Sequence, residues 1–455
     1  MEPKAYVQSL VDASRKAQEI FAAFSQEQVD AVVRAAGKAV YDSAEYLAKL
    51  AAEETGMGRF EDKILKNRGK SKVTWHRLKG VKSRGIIRRI PELGLVEVAH
   101  PMGVIGVICP TTNPTMTPLH NSMVALKGGN SVIVCPHPRA KKAGMETVRV
   151  MNEAIAKEGA PENLIQIVPE PAMEISGLVM ALCDMCVSTG GAGMVKAAYS
   201  SGKPAFGVGQ GNVQSLVDRD MNIADVAEKI VAGRTYDLGV LCSCEQCVIC
   251  PEENYDEMVA ELKKRGAYYV EKKEEVDAMR AMLFPDNMLN RDSVGLEAVR
   301  LAKMAGIAVP PSTRLIAIKL EKFGKDEQLA REKLCPVMTV YSYKTWEEGV
   351  NIARTNLLNE GAGHSATIHS HNAGNVDYAA LRLPVSRITI NQTGSNSVGG
   401  TLVNGLNPTG TLGCGSWGNN SASENLWFHH LINISRVSYI IEDAHVPTDE
   451  EIWAK

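Results

Sequence analysis

The stretch VIGVICPTTNPTMTPLHNSMVALKGGNSVIVCP, residues 104–136, sets two short apolar runs, VIGVICP and SVIVCP, on either side of a segment with helical spacing. Continuous apolar runs of this length, alternating with helices, mark strands buried on both faces, as in a parallel sheet. The alternation continues through a helix from Arg139 to Lys157, LIQIVP, another helix, DMCVSTGG, a further helix and PAFGVG. Residues 104 to 235 therefore read as a doubly wound, nucleotide-binding α/β sheet.

Outward from this core, residues 5–55 read as two or three amphipathic helices, with SQEQVD supplying a Ser N-cap and a Gln three residues on. The basic run KILKNRGKSK, 63–72, breaks that pattern, and GIIRRIPELGLVEVAHP then alternates as a strand pair reaching away from the main body. A second α/β region runs from about 237 to 415, and RVSYIIEDAHVP closes the chain with one more strand.

With 455 residues the chain exceeds one hydrophobic core. Apolar residues at 45% and charged residues at 22% describe a folded globular protein. Fifty Lys and Arg against 52 Asp and Glu leave a formal charge of -2, which argues against a dedicated binder of nucleic acid or membrane surfaces. The N-terminus mixes charges and shows no secretory pattern, and no apolar run reaches the roughly 18 residues a membrane span needs. A cytoplasmic location is the expectation. Ten cysteines fall below disulfide-scaffold density, so each is a small hydrophobe, a metal ligand or a reactive thiol.

Four of them crowd LCSCEQCVIC, residues 241–250. A metal nest needs converging sulfurs, but QCVICP reads as a strand, where Cys247 and Cys250 point to opposite faces. No metal site is expected. Cys242, in the loop before the strand, is left as a candidate nucleophile, which requires access and oxyanion donors. Asn113, after the first buried strand, is either such a donor or a turn residue. Three glycine-rich turns, STGGAGMV, GVGQGNV and TLGCGSWG, let backbone approach a phosphate, and the first has the best strand-turn-helix context. Arg139, Lys141 and Lys142 follow SVIVC, where they suit either a ribose 2′-phosphate or a solvated helix start.

Together PTTNPT, STGGAGMV, GVGQGNV, GVLCSCEQ, Glu332 with KLCPV, GAGHSATIHS and TLGCGSWGNNS resemble the CoA-acylating branch of the aldehyde dehydrogenase superfamily along essentially the whole chain. SQEQVD, ETGMG, CPHPRAKK, GAPENLIQIV, VKAAYSSGKP and EEIW are similar to members of that branch acting on succinic semialdehyde. The resemblance implies a cofactor-binding domain over 1–235, with 84–101 in an oligomerisation arm, a catalytic domain over 236–415, and a segment 416–455 that returns to the cofactor domain and ends in an oligomerisation strand.

It also implies roles. Cys242 would attack the aldehyde, Asn113 would hold the oxyanion, and His364 would assist proton transfer or CoA. Thr111, His137, Arg139, Ser188, Thr189, Gly190, Gly191, Gly209 and Glu332 would hold NADP or NAD. Lys70 and Ser243 would meet the substrate, with coenzyme A as co-substrate and a second copy of the chain as partner. GVGQGN stands where hydrolytic relatives carry a Glu-Leu-Gly-Gly turn, so the base that would activate water is missing. The expected substrate is a short anionic aldehyde, carboxylated first, with sulfoacetaldehyde and acetaldehyde as rivals. Cys244, two residues from the nucleophile, raises the expectation of an inactivating disulfide.

Overall fold

The structure, a computed structural model, describes residues 2–455. Helices α1 (Pro3–Ala22), α2 (Gln26–Asp42) and α3 (Ala44–Thr55) form as expected. The Ser25 hydroxyl caps the Gln28 N–H while the Gln28 side chain accepts from the Ser25 N–H, a reciprocal cap that fixes where α2 begins. The basic run does not break the helical series. It lies inside a fourth helix, α4 (Phe60–Leu78), because Lys63 and Lys66 are buried on its inner face against Asp237. A buried carboxylate makes those positions tolerable for lysine.

Next come β1 (Gly85–Ile90) and β2 (Leu95–Pro101), an antiparallel pair that leaves the body as the arm. The first main sheet contains β3 (Val104–Ile108), β4 (Ser131–Cys135), β5 (Ile165–Ile167), β6 (Met185–Thr189) and β7 (Ala205–Val208), all parallel, in the order β5-β4-β3-β6-β7. Helices α5 (Met116–Lys127), α6 (Lys141–Ala156), α7 (Met173–Leu182) and α8 (Ala192–Tyr199) connect these strands. Both faces are covered: Ile105 and Val107 join one core, whereas Val104 and Ile108 join another. Each such fully buried side chain stabilises the sheet by about 1.5–3 kcal/mol.

The second sheet takes β8 (Val213–Val217), β9 (Glu245–Pro251), β10 (Ala267–Val270), β11 (Leu315–Lys319), β12 (Val337–Tyr343), β13 (Gly363–His369) and β14 (Val385–Ile390), in the order β10-β11-β12-β9-β8-β13-β14. Sheet membership moves the expected division at 235/236. β8 pairs with β9 and β13, and α9 (Ile223–Thr235) packs with Val248 and Cys250 of β9. The chain thus passes between sheets in the GVGQGN turn, between Val208 and Val213. The last strand, β15 (Ile432–Ser438), begins earlier than RVSYII suggested and pairs with β2. Just before it, Trp427, Phe428 and Leu431 return to the core of the first sheet. Among the described residues no helix is long and apolar enough to cross a membrane.

Candidate active site

Parallel strands gather their carboxyl ends at one edge. In the first sheet Ile108 pairs with both Cys135 and Ser188, and Thr189 pairs with Val208. Thr111 and Asn113, His137 and Arg139, Ser188 to Gly191, and Gly209 therefore all leave the sheet at that edge. Strand order reverses between β3 and β6, the place where such sheets open a ligand crevice. In the second sheet the candidates sit at the amino ends instead. Gly211 precedes β8, Cys242 precedes β9, Glu332 precedes β12, His364 is second in β13, and Arg387 is third in β14.

After α9, Asp237, Leu238 and Gly239 have φ of 47°, 52° and 70°, three left-handed residues in succession. Only glycine adopts that region without cost, so the turn is held by outside contacts. The Asp237 carboxylate supplies them, accepting from the Arg59 N–H at 2.7 Å, Lys66 Nζ at 2.6 Å and Lys63 Nζ at 3.2 Å. The loop that follows presents Cys242, which lines a cavity of about 240 Å³ together with Asn113, Lys66, Lys70 and Ser243. Among the described residues no Asp or Glu lines it. The GVGQGN turn passes directly behind, since a Cβ on Gly211 would sit 2.1 Å from the Cys242 carbonyl oxygen. Two larger surface depressions, of about 560 and 430 Å³, lie away from every candidate residue.

Lys66 orients Asn113. Its Nζ donates to Asn113 Oδ1 at 2.7 Å. Because a lysine nitrogen of this kind only donates, the amide orientation is fixed and its NH₂ remains as the free donor. Lys70 donates to the carbonyls of Gly399 at 2.9 Å and Thr409 at 2.8 Å, which leaves a third N–H. Burial pulls its pKa down to about 8, and no carboxylate pairs with it among the described residues. His120 nearby is pushed to about 4 by burial and then by the Lys70 charge. Ser243 spends its hydroxyl on the Ser395 carbonyl at 3.0 Å, so it shapes the wall and offers no free donor.

Burial raises the Cys242 thiol well above its ordinary range, Glu332 and the thiols of Cys414 and Cys244 add to this, and Arg387 opposes it. Glu332 is itself pushed up to about 8 by burial and then by Glu360, while its Oε1 accepts from the Gly211 N–H at 3.1 Å. At neutral pH, then, the nucleophile rests as a thiol. Arg387 is buried, donates through Nη2 to the Gly413 carbonyl, and has no partner for Nε or Nη1. His364 does not line the cavity. Its Nδ1 meets Ser365 Oγ at 2.7 Å and its Nε2 has no partner, while burial and Arg387 push its pKa to about 3, so the ring is neutral.

The remaining thiols disperse. Cys244 donates to the Tyr236 carbonyl, Cys247 to Gln214 Oε1 and Cys250 to the Tyr341 carbonyl. Cys247 and Cys250 also lie in the cores on opposite faces of β9. Cys244 does not line the cavity.

At the carboxyl edge of the first sheet, Ser188 is buried with an unpartnered hydroxyl, and Thr189 Oγ1 lies 3.4 Å from Thr411 Oγ1. The Gly190 N–H reaches the Val208 carbonyl at 3.4 Å, and the Cβ directions of Gly191 and Gly209 face open space. His137 Nδ1 accepts from the Arg139 N–H, and the Arg139 guanidinium is exposed. Lys141 pairs with Glu170 at 2.5 Å, whereas the N–H groups of Lys142 and Ala143 are capped by Glu54 of α3, each at 2.8 Å. Lys66, Asp237, Arg387 and Glu54 went unassigned in the sequence. Only the first left a signal: Lys63, Lys66 and Lys70 follow a 3,4 spacing that places them on one helix face.

The aldehyde dehydrogenase family profile matches residues 2–278. A succinate-semialdehyde dehydrogenase (acetylating) of Clostridium kluyveri is 48% identical over 453 residues, covering 100% of both chains. A sulfoacetaldehyde dehydrogenase (acylating) of Bilophila wadsworthia is 37% identical over 455 residues, 98% of this chain and 97% of that one. The solved structure of an acetylating aldehyde dehydrogenase from Geobacillus thermoglucosidasius superposes with a TM-score of 0.94 at 35% identity, covering 98% of this chain and 99% of the other.

Proposed function

The chain belongs to the aldehyde dehydrogenase family, and on that premise we propose that it is a CoA-acylating member that interconverts succinic semialdehyde and succinyl-CoA with NAD(P). The observation that carries this reading is the composition of the cavity: a thiol, an oriented amide donor and a cationic wall, with no carboxylate to activate water. Cys242 gives its thiol proton to solvent, its Sγ bonds to the aldehyde carbon while the C=O π pair passes to the oxygen, and the Asn113 NH₂ donates a hydrogen bond to the oxyanion so formed. Such a donor is worth about 100-fold to 1000-fold in rate. The open, glycine-rich edge with the unpartnered Ser188 hydroxyl fits a dinucleotide. Bound there, NAD(P)+ would supply the hydride acceptor. Glu332, Thr111, Ser188 to Gly191, Gly209, His137 and Arg139 would orient it, and Cys242 is left as a thioester. With no base for water beside it, the thioester persists until the CoA thiolate attacks and Cys242 leaves. His364, neutral and with Nε2 unpartnered, would assist CoA or proton transfer only from outside the cavity lining.

Lys70 meets the substrate carboxylate with its free N–H. A sulfonate would bind the same group, and the similarity to an acylating sulfoacetaldehyde dehydrogenase keeps that substrate as the second reading. The chain acts in the cytoplasm as a homodimer or a dimer of dimers, joined through the arm and β15, where Ile86, Val437, Tyr439 and Ile440 are exposed. A monomer in sedimentation velocity would refute that assembly.

The reaction is tested by mixing enzyme, succinic semialdehyde and NAD(P)+ without CoA. One NAD(P)H per site should form in a burst that stops, and turnover should resume on adding CoA. Continuous turnover without CoA would overturn the acylating assignment.

A further inference from the structure

Away from the cavity, the loop that follows Cys414 brings one carboxylate and two imidazoles together. Glu424 Oε1 lies 3.3 Å from His429 Nε2 and 2.9 Å from His430 Nε2, and the three donor atoms all fall within 4.8 Å of one another. We propose that Glu424, His429 and His430 form a binding site for a divalent transition-metal ion of the zinc class.

An ion bound at about 2.0–2.1 Å in tetrahedral geometry holds its ligand atoms about 3.3–3.4 Å apart. The two separations to Glu424 therefore need adjustments of no more than about half an ångström. Two imidazoles with one carboxylate select zinc, cobalt or nickel over magnesium or calcium, which take oxygen ligands.

The donors are held in place. Phe206 meets the His430 ring edge-on, with centroids 5.3 Å apart at 76°, and Phe428 meets His429 at 6.1 Å and 80°. The Glu424 carbonyl accepts from the Gly413 N–H at 3.1 Å, and Asn425 bridges to Leu412. His430 Nδ1 accepts from the Trp427 N–H at 2.9 Å and lies 3.2 Å from the Trp427 carbonyl. With Nδ1 accepting from Trp427, the ring proton sits on Nε2 and donates to Glu424. When the ion takes Nε2, that proton moves to Nδ1, which gives up the bond from the Trp427 N–H and donates to the Trp427 carbonyl instead, the kind of outer partner that metal-bound histidines use.

Side-chain exposures of 57% for Glu424, 41% for His429 and 9% for His430 leave the outward coordination positions to water. The ion would tie the loop from Thr411 to Asn425 to the turn that leads into β15. The Gly413 carbonyl of that loop holds Arg387, so the site lies one hydrogen bond from the catalytic surroundings.

The test uses the full-length chain in a Cys242→Ala background, which removes the accessible thiol. Chelator-stripped protein is titrated with Co²⁺, and its Zn²⁺ content is measured after gel filtration. One equivalent per chain should bind, with visible d–d absorption and no thiolate charge-transfer band. His429→Ala and Glu424→Gln should each weaken binding by at least about 10-fold to 100-fold, the range seen for lesser perturbations of such sites. His429 is exposed enough that its loss leaves the core intact. Unchanged affinity in His429→Ala, a thiolate band, or no retained metal would each overturn the site.

Discussion

Replacing Lys70 with Met separates charge recognition from catalysis. Lys70 has two neutral carbonyl acceptors and one N–H to spare in the cavity that holds Cys242. A charge-assisted hydrogen bond to a substrate carboxylate contributes about 1.5–3 kcal/mol net, which corresponds to about 10-fold to 150-fold in kcat/KM. The substitution should therefore cut kcat/KM for succinyl-CoA by that factor and change the value for butyryl-CoA, its uncharged counterpart, by less than about 2-fold. The pH profile gives a second readout. Burial sets the Lys70 pKa at about 8, so the side chain is charged below that pH and neutral above it. The kcat/KM for succinyl-CoA should fall as pH rises through about 8, relative to butyryl-CoA measured in parallel. Glu332 is pushed up to about 8 and titrates for both substrates, so only the ratio reports Lys70. Steady-state rates from pH 6 to 10 on both proteins suffice. Equal losses with both acyl groups, or a pH-dependent ratio that survives in Lys70→Met, would refute the reasoning.

Asn113→Ala should lower kcat about 100-fold to 1000-fold. Lys66→Met should slow the parent enzyme but add less than about 2-fold in the Asn113→Ala background, because Lys66 acts by orienting that amide. Fully additive losses in this double-mutant cycle would assign Lys66 a direct role instead. Asp237→Asn leaves Lys63 and Lys66 buried without a counter-charge and should cost about 3–5 kcal/mol in urea unfolding at pH 7. A loss under about 1 kcal/mol would mean that the cluster is not held by charge.

The parallel sheets were legible because apolar runs such as VIGVI and SVIVC have no other stable use than strands buried on both faces. Cys242 was legible for a negative reason: strand alternation removes Cys247 and Cys250 from any shared site, and the structure divides them between two cores. Lysines were misread because a run of like charges usually marks a solvated face, and the carboxylate that buries Lys63 and Lys66 lies more than 170 residues away, at Asp237. Arg387 is silent for a similar reason. On a strand it reads as an alternating polar residue, and only the fold brings the Gly413 carbonyl to it. The division at 235/236 does not follow sheet membership, because β8 of the second sheet comes directly after the short GQGN turn and before that boundary.

The charges around the cavity also account for the choice of nucleophile in the second half of the reaction. Lys63 and Lys66 of α4 share one aspartate, Asp237, while Lys70 and Arg387 add cations that no carboxylate pairs with among the described residues. Glu332, the buried carboxyl that bears on Cys242, is pushed up to about 8 and is largely protonated at neutral pH, so it adds little negative charge to that field. A neutral water molecule gains little from the field and finds no base. An incoming thiolate arrives already deprotonated and is attracted, and the oxyanion formed as it adds to the thioester is held by the same Asn113 amide. The positive field that receives an anionic acyl chain thus also favours transfer to CoA over hydrolysis.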